Sequence, residues 1–424
     1  MKYFKKMTFP NGLRLILAPR ASSVAASALI LVEAGSEYEK KETNGLSHFL
    51  EHMVFKGTEM RPRPGMISEE LAGLGAQSNA FTSTEYTGYW AKVAAPNFPK
   101  VLDIVSDLSL HPIFAPEEIE KERGVIIEEI RMYEDTPMRR IHDTFLGLLY
   151  GDQPAGWKVD GEEHIIRKLS REDFLAYREA RYAASAMVVV VAGKFNEKAV
   201  VAQVRTAFGG LPKRSVPKKT RTRERQARPE VLIKFKESDQ GHFVIGFRAF
   251  DLFDKRRYAL SVLADVLGGG MSSRLFKRIR DEMGAAYYVH ANADLSLDHG
   301  AFTVSVGAER SKIDTVIHAV LEECAKLRDE LVPAKELARS KEHMIGNILL
   351  GLETADELAG FIGEQEILTR APLPPEAIVD KINSITAEEV WKVARNIMKD
   401  RALNLAIIGP YRDAAAFKKI LALP

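Results

Sequence analysis

A tandem repeat is the feature that most constrains what this chain can fold into. Leu169-Ser170-Arg171-Glu172-Asp173-Phe174, followed by the apolar run Met187-Val188-Val189-Val190-Val191-Ala192-Gly193, returns as Ile385-Thr386-Ala387-Glu388-Glu389-Val390 and Leu403-Asn404-Leu405-Ala406-Ile407-Ile408-Gly409. The offset is 216 positions in both cases, from Leu169 to Ile385 and from Gly193 to Gly409. Self-similarity of this kind means one supersecondary plan used twice. Each copy reads as a β-hairpin, helices, an antiparallel strand pair, a long helical stretch and a final apolar strand. The helical stretch opens on a capping box, Ser170 with Asp173 in the first copy and Thr386 with Glu389 in the second. The expected fold class is therefore α+β: two duplicated domains, each a mainly antiparallel β-sheet packed against α-helices. A length of 424 residues allows two cores.

The expected domains are residues 1–210 and 231–424, joined by 211–230. Within that connection Lys213 to Arg228 holds eight basic residues against the single acid Glu224, a composition expected of a solvated linker. Across the chain 60 basic and 58 acidic residues leave a net charge of +2, so there is no broad positive field and no nucleic-acid partner is expected. No membrane association is expected either, because the longest apolar run, Val188 to Ala192, falls far short of the ~18 residues of a membrane span. The first apolar stretch is broken by Arg14 and Arg20, unlike a secretory signal. With Cys324 as the single cysteine there is no disulfide framework, and a reducing cytoplasm is the expected home.

Metal-binding chemistry is concentrated in His48-Phe49-Leu50-Glu51-His52. At 3.6 residues per turn, His48, Glu51 and His52 stand at i, i+3 and i+4 and leave a helix on one face. Neutral imidazoles suit zinc, whose catalytic sites take three protein ligands and a water. A carboxylate beside the ion can accept that water's proton, which makes Glu51 the candidate base. The motif alone also arises by chance in roughly one such chain in fifty, leaving two histidines merely packed on an apolar segment. The third ligand must be Asp, Glu or another His, since one cysteine cannot build a closed site. Glu122 to Ile130 offers the best cluster: Glu122 and Glu129, seven apart, share a helix face, while Glu128 lies about 100° round from Glu129. A solvated acidic stripe would look the same. Shifting His48, Glu51 and His52 by the repeat offset lands on Ala264, Leu267 and Gly268, so the second copy is expected to lack a metal site and to serve as a wall and substrate holder.

An H-x-x-E-H motif followed by Glu129, 77 positions after His52 and inside an E-x6-E helix, resembles the inverted-motif zinc metallopeptidases of the insulinase, pitrilysin and mitochondrial-processing-peptidase family. Asn11-Gly12-Leu13, Gly45-Leu46-Ser47 and Met132-Tyr133-Glu134-Asp135 fit the same resemblance. It implies one zinc ion per chain held by His48, His52 and Glu129, proton transfer by Glu51 and a supporting role for Glu122. Asn79-Ala80-Phe81-Thr82 resembles the family's edge strand, which takes an extended substrate as an added strand. By composition alone, Gln77 to Val93 also suits an ordinary surface hairpin. Gly268-Gly269-Gly270-Met271-Ser272-Ser273-Arg274-Leu275-Phe276, with Arg280 and Tyr287 beyond it, resembles the stretch whose Arg and Tyr reach the scissile carbonyl. The triple glycine lacks the ending of a phosphate loop and is expected to form a helix-entry turn; Tyr288 is expected to pack. One departure is Gln153-Pro154-Ala155-Gly156, where many relatives carry a His-Pro-Leu-Gly-like turn.

The function this resemblance implies is a zinc metalloendopeptidase acting on extended peptides. The chain corresponds in length to half of the two-part members, so the resemblance implies a homodimer in which Arg280 and Tyr287 of one subunit face the zinc of the other. The same family supplies non-catalytic core subunits of a respiratory complex, which is the alternative. A zinc hydrolase of small molecules is a third reading, weakened by the strand-adding segment.

Overall fold

The computed structural model describes residues 3–424, which form two compact units. Unit 1 takes the residues up to Arg131 together with Lys158–Thr220 and Leu349–Pro374; unit 2 takes Met132–Trp157, Arg221–Ile348 and Pro375–Pro424. The units therefore differ from the contiguous spans 1–210 and 231–424, because each incorporates a stretch from the other half of the sequence.

Unit 1 holds a sheet of β1 (Lys5–Thr8), β2 (Arg14–Pro19), β3 (Ala25–Val32), β4 (Gln77–Thr82), β5 (Thr87–Ala94) and β6 (Met187–Gly193), in the order β1-β2-β6-β3-β5-β4. Unit 2 holds β7 (Glu230–Phe235), β8 (Gln240–Arg248), β9 (Ala286–Leu295), β10 (Gly300–Glu309) and β11 (Asn404–Gly409), in the order β7-β11-β8-β10-β9. Leaving out β1, the two orders correspond strand for strand. β6 runs parallel to β2 and antiparallel to β3, and β11 does the same with β7 and β8. Both capping boxes form, at Ser170 and at Thr386. The repeat is thus a repeat of topology, and the fold is α+β with two sheets packed against helices.

The exchanged stretches follow from the composition of the central strands. Every residue of β6 is buried, so both sheet faces need cover. On one face of the unit 1 sheet lies helix Phe98–Leu110, packed on β3 and β5. The other face receives helix Ala355–Thr369 from the second half of the chain, packed on β3 and β6. A Cβ added at its Gly363 would lie 2.9 Å from Leu31 Cδ1 and 3.1 Å from Leu29 Cδ2, so a larger residue there would require those leucines to shift. Buried Glu366 of the same helix pairs with Arg14 at 3.2 Å and Lys6 at 2.7 Å. In unit 2 the covering helix is Pro137–Tyr150 from the first half, whose Ile141, Phe145 and Leu149 are buried with Val244, Ala406 and Ile408.

The connection 211–230 is mostly exposed, as expected of a solvated linker, but it is docked at particular residues. Lys219 Nζ lies 2.5 Å from both Glu37 Oε2 and Glu85 Oε1, with its side chain only 7% exposed. The Pro217 carbonyl accepts from Arg181, and the Arg214 carbonyl from the Ser185 hydroxyl. Two buried carboxylates supply the counter-charge that makes burying a lysine tolerable. A basic run looks alike in sequence whether it is docked in this way or free. Among the described residues no helix is long and apolar enough to cross a membrane.

Candidate metal centre and active site

Helix Leu46–Met53 buries Leu46, Phe49, Leu50 and Met53 and turns His48, Glu51 and His52 to its other side. Helix Pro116–Glu134 buries Ile119, Ile126, Ile127 and Ile130 and carries Glu122 and Glu129. Together they bring His48, His52 and Glu129 into a three-donor group able to hold a metal ion. His48 Nε2 lies 3.7 Å and His52 Nε2 3.4 Å from Glu129 Oε2. Tetrahedral zinc with bonds of about 2.0–2.2 Å needs ligand atoms roughly 3.3–3.6 Å apart; the His52 spacing falls within that window, the His48 spacing just beyond it, and all three donor atoms lie within 4.8 Å of one another, so the group fits the ion with a small adjustment. Glu128 instead reaches Arg131 at 2.8 Å on the exposed side, as its angular offset requires.

Glu122 supports this set from behind. Its Oε1 lies 2.9 Å from His52 Nδ1, which leaves the Nε2 lone pair for the metal position, and its Oε2 lies 2.5 Å from Lys56 Nζ. Burial works against the Glu122 charge, but the His52 and Lys56 hydrogen bonds outweigh it and hold the carboxyl below its ordinary pKa. Burial likewise opposes a protonated His52, yet Glu122 and Glu129 push that imidazole up to about 9. The pocket therefore favours a cation. Glu122→Gln is expected to weaken zinc binding about 10- to 100-fold while leaving the stoichiometry at one per chain when the ion is in excess, as a competitive chelator titration would read.

Glu51 stands beside the ligands, and its Oε2 accepts a hydrogen bond from Thr82 Oγ1 at 2.6 Å. Burial raises the Glu51 pKa and the Thr82 hydroxyl opposes it, a balance suited to a carboxylate that must exchange a proton nearer neutrality. Thr82 is the last residue of β4, the outer strand of its sheet, so the segment Asn79–Thr82 does lie at an open edge. Within it Ala80 is buried and Phe81 is exposed, while the Ala80 N–H donates to Asn79 Oδ1 at 2.9 Å. Thr82, expected only as a substrate contact, is thus tied to the candidate base.

Arg280 and Tyr287 belong to unit 2 and meet each other: Arg280, on a π-helical turn over Phe276–Glu282, donates to the Tyr287 carbonyl at 3.3 Å. The Tyr287 side chain is 61% exposed. Tyr288 packs as expected, with its ring over Gly307 and its hydroxyl 3.0 Å from His242 Nδ1. The triple glycine is not purely a helix-entry turn. Gly268 ends helix Arg257–Gly268, and a Cβ there would come within 2.5 Å of the Ala291 nitrogen, so glycine permits close approach to β9. Ala264 and Leu267 of this helix are core residues, which leaves no ligands at the positions equivalent to His48 and Glu51. The motif reading missed Lys56, four residues beyond His52 on the same helical side, and it missed Glu39, which hydrogen-bonds the first turn of the histidine helix. A helix that starts on Gly45, which has no side chain to cap it, was the available signal for the latter.

A family model described as Insulinase (Peptidase family M16) matches residues 14–159, and one described as Peptidase M16 inactive domain matches residues 168–344. A Bacillus subtilis (strain 168) protein named "Uncharacterized zinc protease YmxG" is 34% identical over 409 residues, covering 96% of this chain and 98% of its own length. The chain belongs to the insulinase family. A Streptomyces coelicolor relative of this family, "Uncharacterized zinc protease SCO5738", is 32% identical over 418 residues, with 97% of this chain and 91% of its own covered. Two solved structures share the fold. A protease from Helicobacter pylori matches with TM-score 0.88 at 21% identity, covering 96% of this chain and 99% of its own. A peptidase M16 inactive domain from Pseudomonas fluorescens matches with TM-score 0.88 at 17% identity, covering 96% and 98%. The insulinase model spans His48, Glu51, His52, Asn79–Thr82, Glu122 and Glu129, whereas the inactive-domain model spans Arg280 and Tyr287.

Proposed function

We propose that this insulinase-family chain is a zinc metalloendopeptidase that cleaves extended peptides and works as a homodimer in the cytoplasm. One observation carries the reading: His48, His52 and Glu129 converge at zinc-compatible spacing with the Thr82-held Glu51 carboxylate beside them. Zinc bound there supplies a Lewis acid that polarises the peptide carbonyl and lowers the pKa of water to about 7. Glu51 takes the proton of the attacking water and returns it to the leaving amine. The open edge of β4 receives the peptide backbone as an added strand, which aligns it irrespective of most of its side chains. Arg280 and Tyr287 provide exposed hydrogen-bond donors for the developing oxyanion, contributed by the partner subunit.

A mixing experiment tests the shared site. A His48→Ala chain and a Tyr287→Phe chain, each impaired alone, are expected on 1:1 mixing to recover about a quarter of wild-type peptidase activity, because half the dimers are hybrids and each hybrid has one intact site of two. No recovery despite verified hybrid dimers would show that each chain completes its own site.

A further inference from the structure

The helix that carries His48, Glu51 and His52 begins on a residue that cannot cap it. Gly45 is in the left-handed region at φ 96°, and a Cβ there would lie 2.8 Å from Ile166 Cδ1 and 2.9 Å from the Asp160 carbonyl oxygen. Glycine is required sterically and offers no side-chain oxygen, while the N–H groups of a helix's first turn have no acceptor within the helix. Glu39, six residues upstream, supplies what Gly45 lacks. Its Oε2 accepts from the Gly45 N–H at 2.8 Å and from Asn44 Nδ2 at 3.0 Å, and its Oε1 accepts from the Ser47 N–H at 2.6 Å. The residue is only 6% exposed, and burial pushes its carboxyl up to about 7 against these three donors. Asn44 also donates to the Lys158 carbonyl at 3.0 Å, and the Ser47 and Tyr177 hydroxyls are 2.7 Å apart, so the capped turn is anchored on both sides.

The two histidines depend on this cap unequally. His52 sits in the second turn, where Glu122 holds its imidazole. His48 is the third helical residue, directly after Ser47, in the turn that frays when uncapped. We propose that Glu39 is a positioning residue for the metal centre: its buried carboxylate replaces the missing N-cap and fixes the first turn so that His48 is held in register with His52 and Glu129. The inference rests on the metal reading above and adds to it a group that touches neither metal nor substrate.

The test is zinc affinity measured by chelator competition, with the visible spectrum of the cobalt(II)-substituted protein as a readout of ligand geometry. Glu39→Gln keeps the side-chain shape but only one accepting oxygen. It is expected to lower zinc affinity about tenfold or more and to alter the cobalt spectrum, with the far-ultraviolet circular dichroism unchanged. Asn196→Ala removes the cap of a different helix, where Asn196 Oδ1 accepts from the Ala199 N–H at 3.1 Å, and is expected to leave both readouts at wild-type values. Hydrogen exchange on unsubstituted apoprotein provides a measurement independent of any variant: the Ser47 amide, lacking a helical acceptor, is expected to be protected. Wild-type zinc affinity in Glu39→Gln, an equal loss in Asn196→Ala, or an unprotected Ser47 amide would each overturn the proposal. Failure of the metal reading shows separately, as a wild-type apoprotein that takes up no zinc while Ser47 stays protected.

Discussion

Glu51→Gln is expected to lower kcat for peptide cleavage by about 10²- to 10⁴-fold, the span that a positioned acid–base group contributes, while one zinc per chain is retained. Glutamine keeps the size of the side chain and can still accept from the Thr82 hydroxyl, but it cannot take a proton from water. The ligands His48, His52 and Glu129 are untouched, so metal content measured alongside kcat separates loss of the base from loss of the ion. Cleavage that survives this substitution would remove Glu51 from the mechanism. Bound zinc with no Glu51-dependent cleavage in either protein would instead favour the alternative of a non-catalytic core subunit. Mapping the cleaved bonds in a peptide library by mass spectrometry, with Glu51→Gln as the blank, would read the substrate preference in the same experiment.

Phe145→Ala is expected to destabilise unit 2 by about 3–5 kcal/mol, the usual cost of emptying a buried phenylalanine site. Phe145 is 1% exposed on helix Pro137–Tyr150, and a Cβ added at Gly246 of β8 would lie 2.5 Å from its ring. This ring covers a sheet formed almost wholly by the other half of the sequence, so the cavity weakens β8 and β11 far along the chain. Native-state hydrogen exchange should show amides of β8 and β11 opening about 100- to several-thousand-fold more readily, with β3 and β6 unaffected. Val125→Ala, at a site 51% exposed, should change stability by less than about 0.5 kcal/mol. Unchanged exchange in β8 and β11 would mean that the exchanged helix contributes little to this sheet.

How far each part of the architecture could be read depended on whether its cause was local. The capping boxes at Ser170 and Thr386 form as read, because a cap needs only residues three apart. The H-x-x-E-H face forms because helical spacing alone orients it, and Glu129 is separated from Glu128 by the same angular argument. That Lys219 within the exposed basic run would be buried was not legible, because its partners, Glu37 and Glu85, are more than a hundred residues away. Thr82 carried no sign in sequence that its hydroxyl would be tied to Glu51 rather than only facing a substrate.

The sequence by itself determined the duplication, the α+β class and the shared helix face of His48, Glu51 and His52, since each is written in short-range periodicity or in self-similarity at a fixed offset. Only the tertiary structure decided which segment covers each buried sheet face, and that Glu39 caps the helix of His48. The wholly apolar β6 announces that both its faces are buried, but burial is non-directional and does not name its partner. The partner is chosen by shape, at Gly363 on the sheet-facing side of one exchanged helix and at Gly246 beneath the ring of the other, and shape of that kind exists only once the chain has folded.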